Sequence, residues 1–260
     1  MSIQSKTILF VTGCFVSYRC WDDWKTFFES KGYTAILPPW PLKEGPANVL
    51  RSQHPDSPIA TLRLNTVLNN YIGIAKQLPE KPIIIGHSFG GLMTQILINR
   101  DCGAAGVAIH SIPPQGVIPV EWSFYKAATG SLGLFTSAKK TYLMSFKTWQ
   151  YAFTNGMPEA VQRAEYDKFV VPESKLLARD GLSSAAKVDF SKPHAPLLIV
   201  SSSADNIVPA SLNKRNFKRY KQNNGSVTEY LEVADRNHHV LGLPTWQTDA
   251  QQILDWIQTK

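Results

Sequence analysis

The chain has 260 residues, of which 43% are hydrophobic and 18% are charged. This composition is typical of one soluble globular domain, and it excludes collagen, a coiled coil and a disordered chain. Lys and Arg outnumber Asp and Glu, which gives a formal net charge of +7. We interpret this excess as a basic surface rather than as evidence of a nucleic-acid or membrane partner.

The cysteine content and the first residues predict a cytoplasmic protein. The three cysteines, Cys14, Cys20 and Cys102, are too few for a disulfide framework and favour a reducing compartment. The apolar run at residues 7–11 is too short for the core of a signal sequence or for a membrane span. We therefore expect a cytoplasmic protein without a targeting segment.

Short runs rich in Ile and Val alternate with segments of helical period, a pattern typical of βαβ units that form a parallel sheet. The predicted strands are 8–11, 34–37, 83–85, 106–109, 197–201 and 227–233. The predicted helices are 21–30, 61–77, 89–99, 210–220 and 245–258. The pattern predicts an α/β fold with about six parallel strands flanked by helices.

The interval 113–193 interrupts this alternation, because it lacks a convincing strand and is longer than a normal crossover. We interpret it as a helical cap inserted into a single domain that spans residues 1–260. Most of its aromatic side chains are expected in the core of the cap itself, and some against the space beneath it. These aromatic residues are Trp122, Phe124, Tyr125, Phe135, Tyr142, Phe146, Trp149, Tyr151 and Phe153.

A Gly-x-Ser-x-Gly pattern at residues 86–90 follows the third predicted strand and precedes a helix. The short pattern alone is weak evidence. A strand before it and a helix after it, however, place the Ser88 hydroxyl above the carboxyl end of the sheet, where open α/β folds bind ligands. Ser88 is therefore the candidate nucleophile. The alternative is a glycine-rich turn with an idle serine.

A serine hydroxyl becomes a nucleophile only beside a base that an acid orients, and later strand ends supply both groups. Asp205 follows the fifth predicted strand, although alone it could equally be a turn or helix-cap residue. Two histidines, His238 and His239, precede the last predicted helix. The candidate residues thus occur in the order Ser, Asp, His along the chain.

With these residues the sequence resembles the α/β-hydrolase superfamily over nearly its whole length. The Gly-x-Ser-x-Gly turn, the Asp-x-x-Val-Pro stretch at 205–209 and the histidine before the last helix match the family pattern. The resemblance implies an α/β-hydrolase fold with Ser88 as nucleophile, Asp205 as acid and His238 as base. His239 remains an alternative base, because it is followed by the apolar Val240, just as His238 is followed by the bulky ring of His239. For His87 we expect packing or support of the catalytic residues, and we expect His54, His110 and His194 in loops or at a strand end.

The family binds the oxyanion with the backbone N–H after the nucleophile and with a loop that follows the first core strand. By this resemblance the first donor is Phe89. The loop at residues 12–15 resembles the family's His-Gly-x loop, with Thr12 where histidine is usual. Cys14 is then the second donor and Phe15 a possible alternative. A nucleophilic role for Cys14 is a competing interpretation that the turn at Ser88 disfavours.

No pair of metal ligands at a known spacing and no nucleotide-binding glycine loop occurs in the sequence, so we expect neither a metal nor a cofactor. The basic run at 214–221 suggests a nucleic-acid patch at first sight. It falls on a predicted peripheral helix, however, and we interpret it as a solvated face. We expect no nucleic-acid partner.

The sequence therefore predicts a serine hydrolase that cleaves a carboxylic ester, or a related acyl bond such as a lactone, of a small apolar substrate. The reaction would pass through an acyl-enzyme. Two alternatives stay open. The same three residues could serve C–C hydrolysis, perhydrolysis, hydroxynitrile cleavage or acyl transfer, and the scaffold could be a non-catalytic small-molecule receptor.

Overall fold

A parallel sheet lies at the centre of the structure, a computed structural model that describes residues 3–220 and 224–260. Its strands are β1 (Thr7–Val11), β2 (Thr34–Ile36), β3 (Ile83–His87), β4 (Ala105–Ile109), β5 (Leu197–Ser202) and β6 (Thr228–Val233). They lie in the order β2-β1-β3-β4-β5-β6, and every neighbouring pair is parallel. This confirms the predicted α/β fold with six parallel strands.

The apolar runs of the strands follow from burial on both faces of the sheet. Alternate residues of β3 belong to two different clusters: Ile84 packs in one, whereas Ile83 and Ile85 pack in the other. Because side chains alternate across a strand, a strand covered on both faces needs apolar residues at successive positions. This requirement explains why β3 reads as continuous isoleucine.

Helices cover both faces of the sheet. In chain order they are α1 (Asp22–Ser30), α2 (Ala47–Ser52), α3 (Leu64–Gln77), α4 (Phe89–Asn99), α5 (Trp122–Leu132), α6 (Phe146–Ala152), α7 (Glu159–Phe169), α8 (Lys175–Asp180), α9 (Ala210–Phe217) and α10 (Trp246–Thr259). All five predicted helices are present. Across the described residues, none of the helices combines the length and the apolarity that crossing a bilayer requires.

Two local features depart from the predicted helices. The helix predicted at 61–77 begins only at Leu64, because Pro58–Thr61 forms a 3-10 turn in which the Ile59 N–H donates to the Ser57 hydroxyl. The short helix α2 was not predicted. It has six residues and follows directly on Pro46, so its length is below what helical periodicity can reveal.

Four helices, α5 to α8, occupy the interval 113–193 between β4 and β5, which we call the cap segment. Its own core includes Trp149 stacked on Phe153, with ring centroids 4.5 Å apart. The cap segment contacts the rest of the chain through a bridge between Val16 and Val170. Phe135, by contrast, is fully exposed, so the aromatic side chains of this segment have several different environments.

The basic run predicted to be a solvated face lies on α9 and just beyond it. Lys214, Lys218 and Arg219 are exposed, whereas Arg215 forms an ion pair with Glu121 at the start of the cap segment. Lys221, the last residue of the run, lies outside the described residues. The exposed cations lie at the end of α9 and directly after it, on the protein surface, as the sequence predicts.

Candidate active site

Ser88 occupies a tight turn between β3 and α4. Its backbone has φ 60° and ψ −120°, an unusual conformation for a residue with a side chain. A Cβ at Gly86 would collide with the backbone of Gly90, and a Cβ at Gly90 would collide with the carbonyl of Val11. The two glycines therefore allow α4 to leave β3 at close range, which exposes the Ser88 hydroxyl at the end of the sheet.

The three predicted side chains meet above the carboxyl ends of β3, β5 and β6. Nε2 of His238 lies 2.8 Å from Oγ of Ser88, and Nδ1 of His238 lies 2.7 Å from Oδ2 of Asp205. The backbone N–H groups of Ile207 and Val208 donate to the other carboxylate oxygen of Asp205 at 2.7 and 2.8 Å. With its proton on Nδ1, His238 can accept the serine proton on Nε2.

Burial and charge set the ionisation of the pair. Burial alone would raise the pKa of Asp205, but the facing imidazoles of His238 and His110 outweigh it and hold that pKa well below its usual range. Burial lowers the pKa of His238, and the neighbouring carboxylate of Asp205 only partly opposes this effect. The site therefore favours an ionised acid beside a neutral imidazole, which is the state a general base needs.

His239 points away from the serine. Its Nε2 lies 2.9 Å from Oε2 of Glu165 on α7, and its ring packs edge-on against Trp149. Of the two adjacent histidines, His238 alone therefore bonds to both Ser88 and Asp205. The geometry favours the predicted base over the alternative.

Two histidines to which the sequence assigned packing or loop roles lie beside these residues. Nδ1 of His110, just after β4, is 2.8 Å from Oδ2 of Asp205, although it is not aligned for a hydrogen bond. The ring of His87 lies 4.7 Å from that of His238. Sequence analysis missed the position of His110. The available signal was its place at the carboxyl end of the strand next to β3, on the same sheet edge as Ser88.

The loop at residues 12–15 lies against the nucleophile. A Cβ built at Gly13 would lie 3.5 Å from the backbone nitrogen of Phe89. The Phe89 N–H is the first in α4, where no intrahelical acceptor exists. Within the described residues, no hydrogen bond uses the backbone N–H of Cys14. Both predicted donors are thus available to an oxyanion.

The structure disfavours Phe15 as the alternative oxyanion donor. Its N–H donates to Oε2 of Glu173 at 3.1 Å, and so it is not free for an oxyanion. Glu173 also pairs with Lys43 at 2.8 Å, and both side chains are buried. Burial, reinforced by the charge of Glu173, raises the pKa of the Cys14 thiol well above its usual value. A neutral thiol is a poor nucleophile, which weakens the competing role for Cys14.

Hydrogen bonds from other side chains hold the loop at residues 12–15, in which Thr12 replaces the family's usual histidine. The phenol of Tyr71 accepts a hydrogen bond from the Thr12 N–H at 3.3 Å. Together with the Glu173 contact to Phe15, this bond holds both ends of the loop. A different set of side chains therefore positions the two donors.

An apolar cavity of about 260 Å³ opens onto Ser88. Its walls come from loop 12–15, from α4 and from the cap segment. Among the aromatic residues predicted for the cap, Phe124 lines it. The apolar side chains around it include Phe15, Phe89, Ile112, Val117, Ile118, Phe124, Ala127, Ala128, Leu132, Met144, Leu182 and Ile207.

Comparison with known proteins shows what this architecture is similar to. The model of the alpha/beta hydrolase family matches residues 8–252. No curated protein matches the chain. The monoacylglycerol lipase of Paleococcus ferrophilus is 19% identical, with a TM-score of 0.67 over 97% of this chain and 94% of that one.

Two further solved structures share the fold at similar identity. An extracellular alpha/beta-hydrolase from a Paenibacillus species is 17% identical, with a TM-score of 0.66 over 96% of this chain and 98% of that one. A variant of tomato methylketone synthase I is 14% identical, with a TM-score of 0.68 over 97% and 99%. Because the family model spans nearly the whole sequence, the chain belongs to the alpha/beta hydrolase family.

Proposed function

We propose that this protein is a serine hydrolase that cleaves carboxylic esters or lactones of small apolar substrates through an acyl-enzyme. The observation that carries the proposal is the hydrogen-bonded series of Ser88, His238 and Asp205 at the floor of an apolar cavity. Nucleophilic catalysis by serine requires a neutral imidazole that is hydrogen-bonded to the serine hydroxyl. It also requires an ionised carboxylate that is hydrogen-bonded to the other nitrogen of that imidazole.

The first half of the reaction forms the acyl-enzyme. Oγ of Ser88 attacks the carbonyl carbon while Nε2 of His238 takes the serine proton. The carbonyl oxygen becomes an oxyanion, which the N–H groups of Cys14 and Phe89 stabilise. The tetrahedral intermediate then collapses, the C–O bond of the ester breaks, and His238 returns its proton to the departing alkoxide.

The second half consumes water. His238 takes a proton from a water molecule whose oxygen attacks the acyl carbon, and a second oxyanion forms at the same two N–H groups. Collapse of this intermediate breaks the bond to Oγ, and the proton on His238 passes to Ser88. The carboxylic acid leaves, and the three side chains return to their starting state.

The cavity and the similar structures favour an apolar substrate. Apolar side chains from the cap segment cover the space next to Ser88, so an acyl or alcohol part without charge would bury there most favourably. Similar solved structures include polyneuridine aldehyde esterase and a pyrethroid hydrolase from Sphingobium faniae. Tomato methylketone synthase I was solved with 2-tridecanone, an apolar chain.

The direct test is the hydrolysis of p-nitrophenyl acetate by the wild type and by Ser88→Ala. We expect the substitution to lower kcat by at least about 10³-fold, because no other side chain replaces the nucleophile. The melting temperature should change little, since only one hydroxyl is lost. A Ser88→Ala variant that keeps its activity would overturn the proposal.

A panel of p-nitrophenyl esters with acyl chains of increasing length separates the substrate classes. We expect the highest kcat/KM for short and medium chains, because the cavity of about 260 Å³ limits the acyl part. A preference for long, water-insoluble chains would contradict a small-ester hydrolase. A chain that binds these esters without turnover would instead support the receptor alternative.

A further inference from the structure

Three imidazoles from separate parts of the chain meet behind Ser88. His87 ends β3, His110 follows β4, and His238 precedes α10. One ring nitrogen of each lies within 4.8 Å of the others, and all three side chains are buried. No two of them are close in sequence, so metal-ligand spacing could not reveal this cluster.

Several nitrogens in the cluster lack partners. Among the described residues, Nε2 of His87 and Nε2 of His110 are buried without a hydrogen bond, and Nδ1 of His110 has only its unaligned contact with Oδ2 of Asp205 at 2.8 Å. Buried polar groups are paired in most folded proteins, so unpaired nitrogens that face one another are evidence of a ligand site. His239, in contrast, is paired with Glu165 and stands outside the cluster.

We propose that His87, His110 and His238 bind a divalent transition-metal ion such as Zn²⁺, and that the bound ion inhibits the hydrolase. Imidazole suits Zn²⁺, whereas Mg²⁺ prefers oxygen ligands. Zn–N bonds of about 2.0–2.1 Å in a tetrahedral site place the nitrogens about 3.4 Å apart. The present separations are up to 4.8 Å, so the three ring nitrogens need to approach one another by up to about 1.4 Å.

The surroundings of the cluster suit a cation. Oδ2 of Asp205 lies 2.7 Å from His238 and 2.8 Å from His110, so a carboxylate stands beside two of the ligands. A small cavity of about 10 Å³ adjoins His87 and His238.

The inhibition follows from the two nitrogens of one ring. A neutral imidazole carries one proton and one lone pair. If the ion takes the lone pair of Nε2 on His238, the ring cannot accept the proton of Ser88. If the ion takes Nδ1, the single proton moves to Nε2, and the ring again cannot accept. Either arrangement removes the base.

The binding test does not depend on catalysis. Titration of the Ser88→Ala variant with Zn²⁺ by calorimetry should show one site, because that variant keeps all three histidines. His87→Asn or His110→Asn in the same background should weaken binding by at least about tenfold. His54→Asn and His194→Asn serve as matched controls and should bind Zn²⁺ unchanged, since both histidines lie outside the cluster.

The inhibition test rests on the proposed function. Zn²⁺ should inhibit ester hydrolysis by the wild type, EDTA should restore the rate, and Mg²⁺ should have no effect. The Zn²⁺ concentration for half-inhibition, measured against each variant's own zinc-free rate, should rise at least about tenfold in folded His87→Asn or His110→Asn.

The outcomes separate the two proposals. Failure of the Ser88→Ala variant to bind Zn²⁺, or binding that both cluster substitutions leave unchanged, would overturn the metal site. Histidine-dependent binding in a chain without esterase activity would overturn the hydrolase and leave the metal site standing. Melting temperatures of each variant ensure that a loss of binding is not a loss of fold.

Discussion

His238 and His239 are neighbours in the chain whose side chains have different partners. His238 bonds to Ser88 and Asp205, whereas His239 bonds to Glu165. The sequence pattern alone did not choose between them, because both precede an apolar or bulky residue. The choice depends on which of the two rings points towards the sheet. That orientation is set by how the loop before α10 packs, which the sequence pattern does not show.

Substitution of each histidine by alanine tests this difference. We expect His238→Ala to lower kcat for p-nitrophenyl acetate by at least about 10³-fold, because the base is lost. His239→Ala should retain most of the wild-type kcat, since it removes a contact with α7 and not with the serine. If His239→Ala is the inactive variant and His238→Ala the active one, the assignment of the base is wrong.

Sequence analysis identified Ser88 and Asp205 because each follows a strand in a recognisable pattern. It places His110 in a loop or at a strand end without a role in the site, yet that imidazole lies 2.8 Å from the same carboxylate oxygen that His238 uses. Residues from different strands can meet at one edge of the sheet although they are far apart in sequence. Such a site therefore has no characteristic sequence spacing by which it could be recognised. The sequence leaves Phe15 as a possible alternative to Cys14 for a similar reason, because the bond between Phe15 and Glu173 joins residues that are far apart in the chain.

The close approach of β1, β3 and α4 is the element-scale feature that forms the site. It depends on the absence of a side chain at Gly90, where a Cβ would collide with the carbonyl of Val11. β1 leads directly into the loop that holds Cys14, so a shift of β1 would also move an oxyanion donor. We therefore expect glycine at this position to matter for both stability and the proposed catalysis.

Two glycine substitutions of opposite expected sign test this contact. Gly90→Ala should lower the free energy of unfolding by about 1–3 kcal/mol, because backbone atoms must shift, and it should also lower kcat. Gly73→Ala on α3 is the matched control: nothing lies within 4 Å of its Cβ position. Alanine there should raise the free energy of unfolding by about 0.5–1 kcal/mol. Urea denaturation measures both, and equal effects would contradict the proposed contact.

We propose that the cap segment limits which substrates fit next to Ser88. Ala128 on α5 lines the cavity, and phenylalanine there would fill part of the space next to Ser88. We expect Ala128→Phe to lower kcat/KM for p-nitrophenyl octanoate at least about tenfold more than for the acetate, which corresponds to about 1.4 kcal/mol.

Phe135→Ser is the control for the cap substitution, because Phe135 is fully exposed and does not line the cavity. It should leave the ratio of the two rates unchanged. An Ala128→Phe variant that lowers the rates for both esters equally would show that the cavity beneath α5 does not hold the acyl chain.

The helices of the cap segment were harder to predict than the strands of the sheet. A strand buried on both faces is marked by a short apolar run, and all six such runs became strands. Residues 113–193 mix aromatic and polar residues without a clear period. Each cap helix has several environments around it, namely the cavity, neighbouring helices and solvent, so its apolar residues do not form one regular stripe. The existence of the insertion could be predicted from its length, but its helix bounds could not.

At the scale of the whole molecule, a partly buried ion pair connects the start of the cap segment to α9 in the core domain. Glu121 accepts hydrogen bonds from Ser211 and Arg215 of α9. Partial burial would raise the pKa of Glu121, but these hydrogen bonds outweigh it and lower the pKa to about 2. The folded chain therefore holds Glu121 ionised at a pH where the unfolded chain would protonate it.

This pair predicts a pH-dependent contribution to stability. A carboxylate whose pKa is lower in the folded chain stabilises the fold above its unfolded pKa of about 4.3, and that contribution is lost as the pH falls towards 2. Arg215 is 36% exposed, so solvent screens the pair and the contribution is about 1 kcal/mol at most. Glu121→Gln should therefore melt below the wild type at pH 7, and the gap should shrink at pH 3. A gap that stays constant between these pH values would contradict the ion pair.

The central claim is that Ser88 forms a covalent bond to the substrate. Intact-mass spectrometry of the wild type after reaction with a fluorophosphonate probe tests it most directly, with peptide mapping to locate the label. We predict one adduct per chain on the peptide that contains Ser88, and no labelling of Ser88→Ala or His238→Ala under the same conditions. An unlabelled wild type, or a label on another residue such as Cys14, would contradict the account.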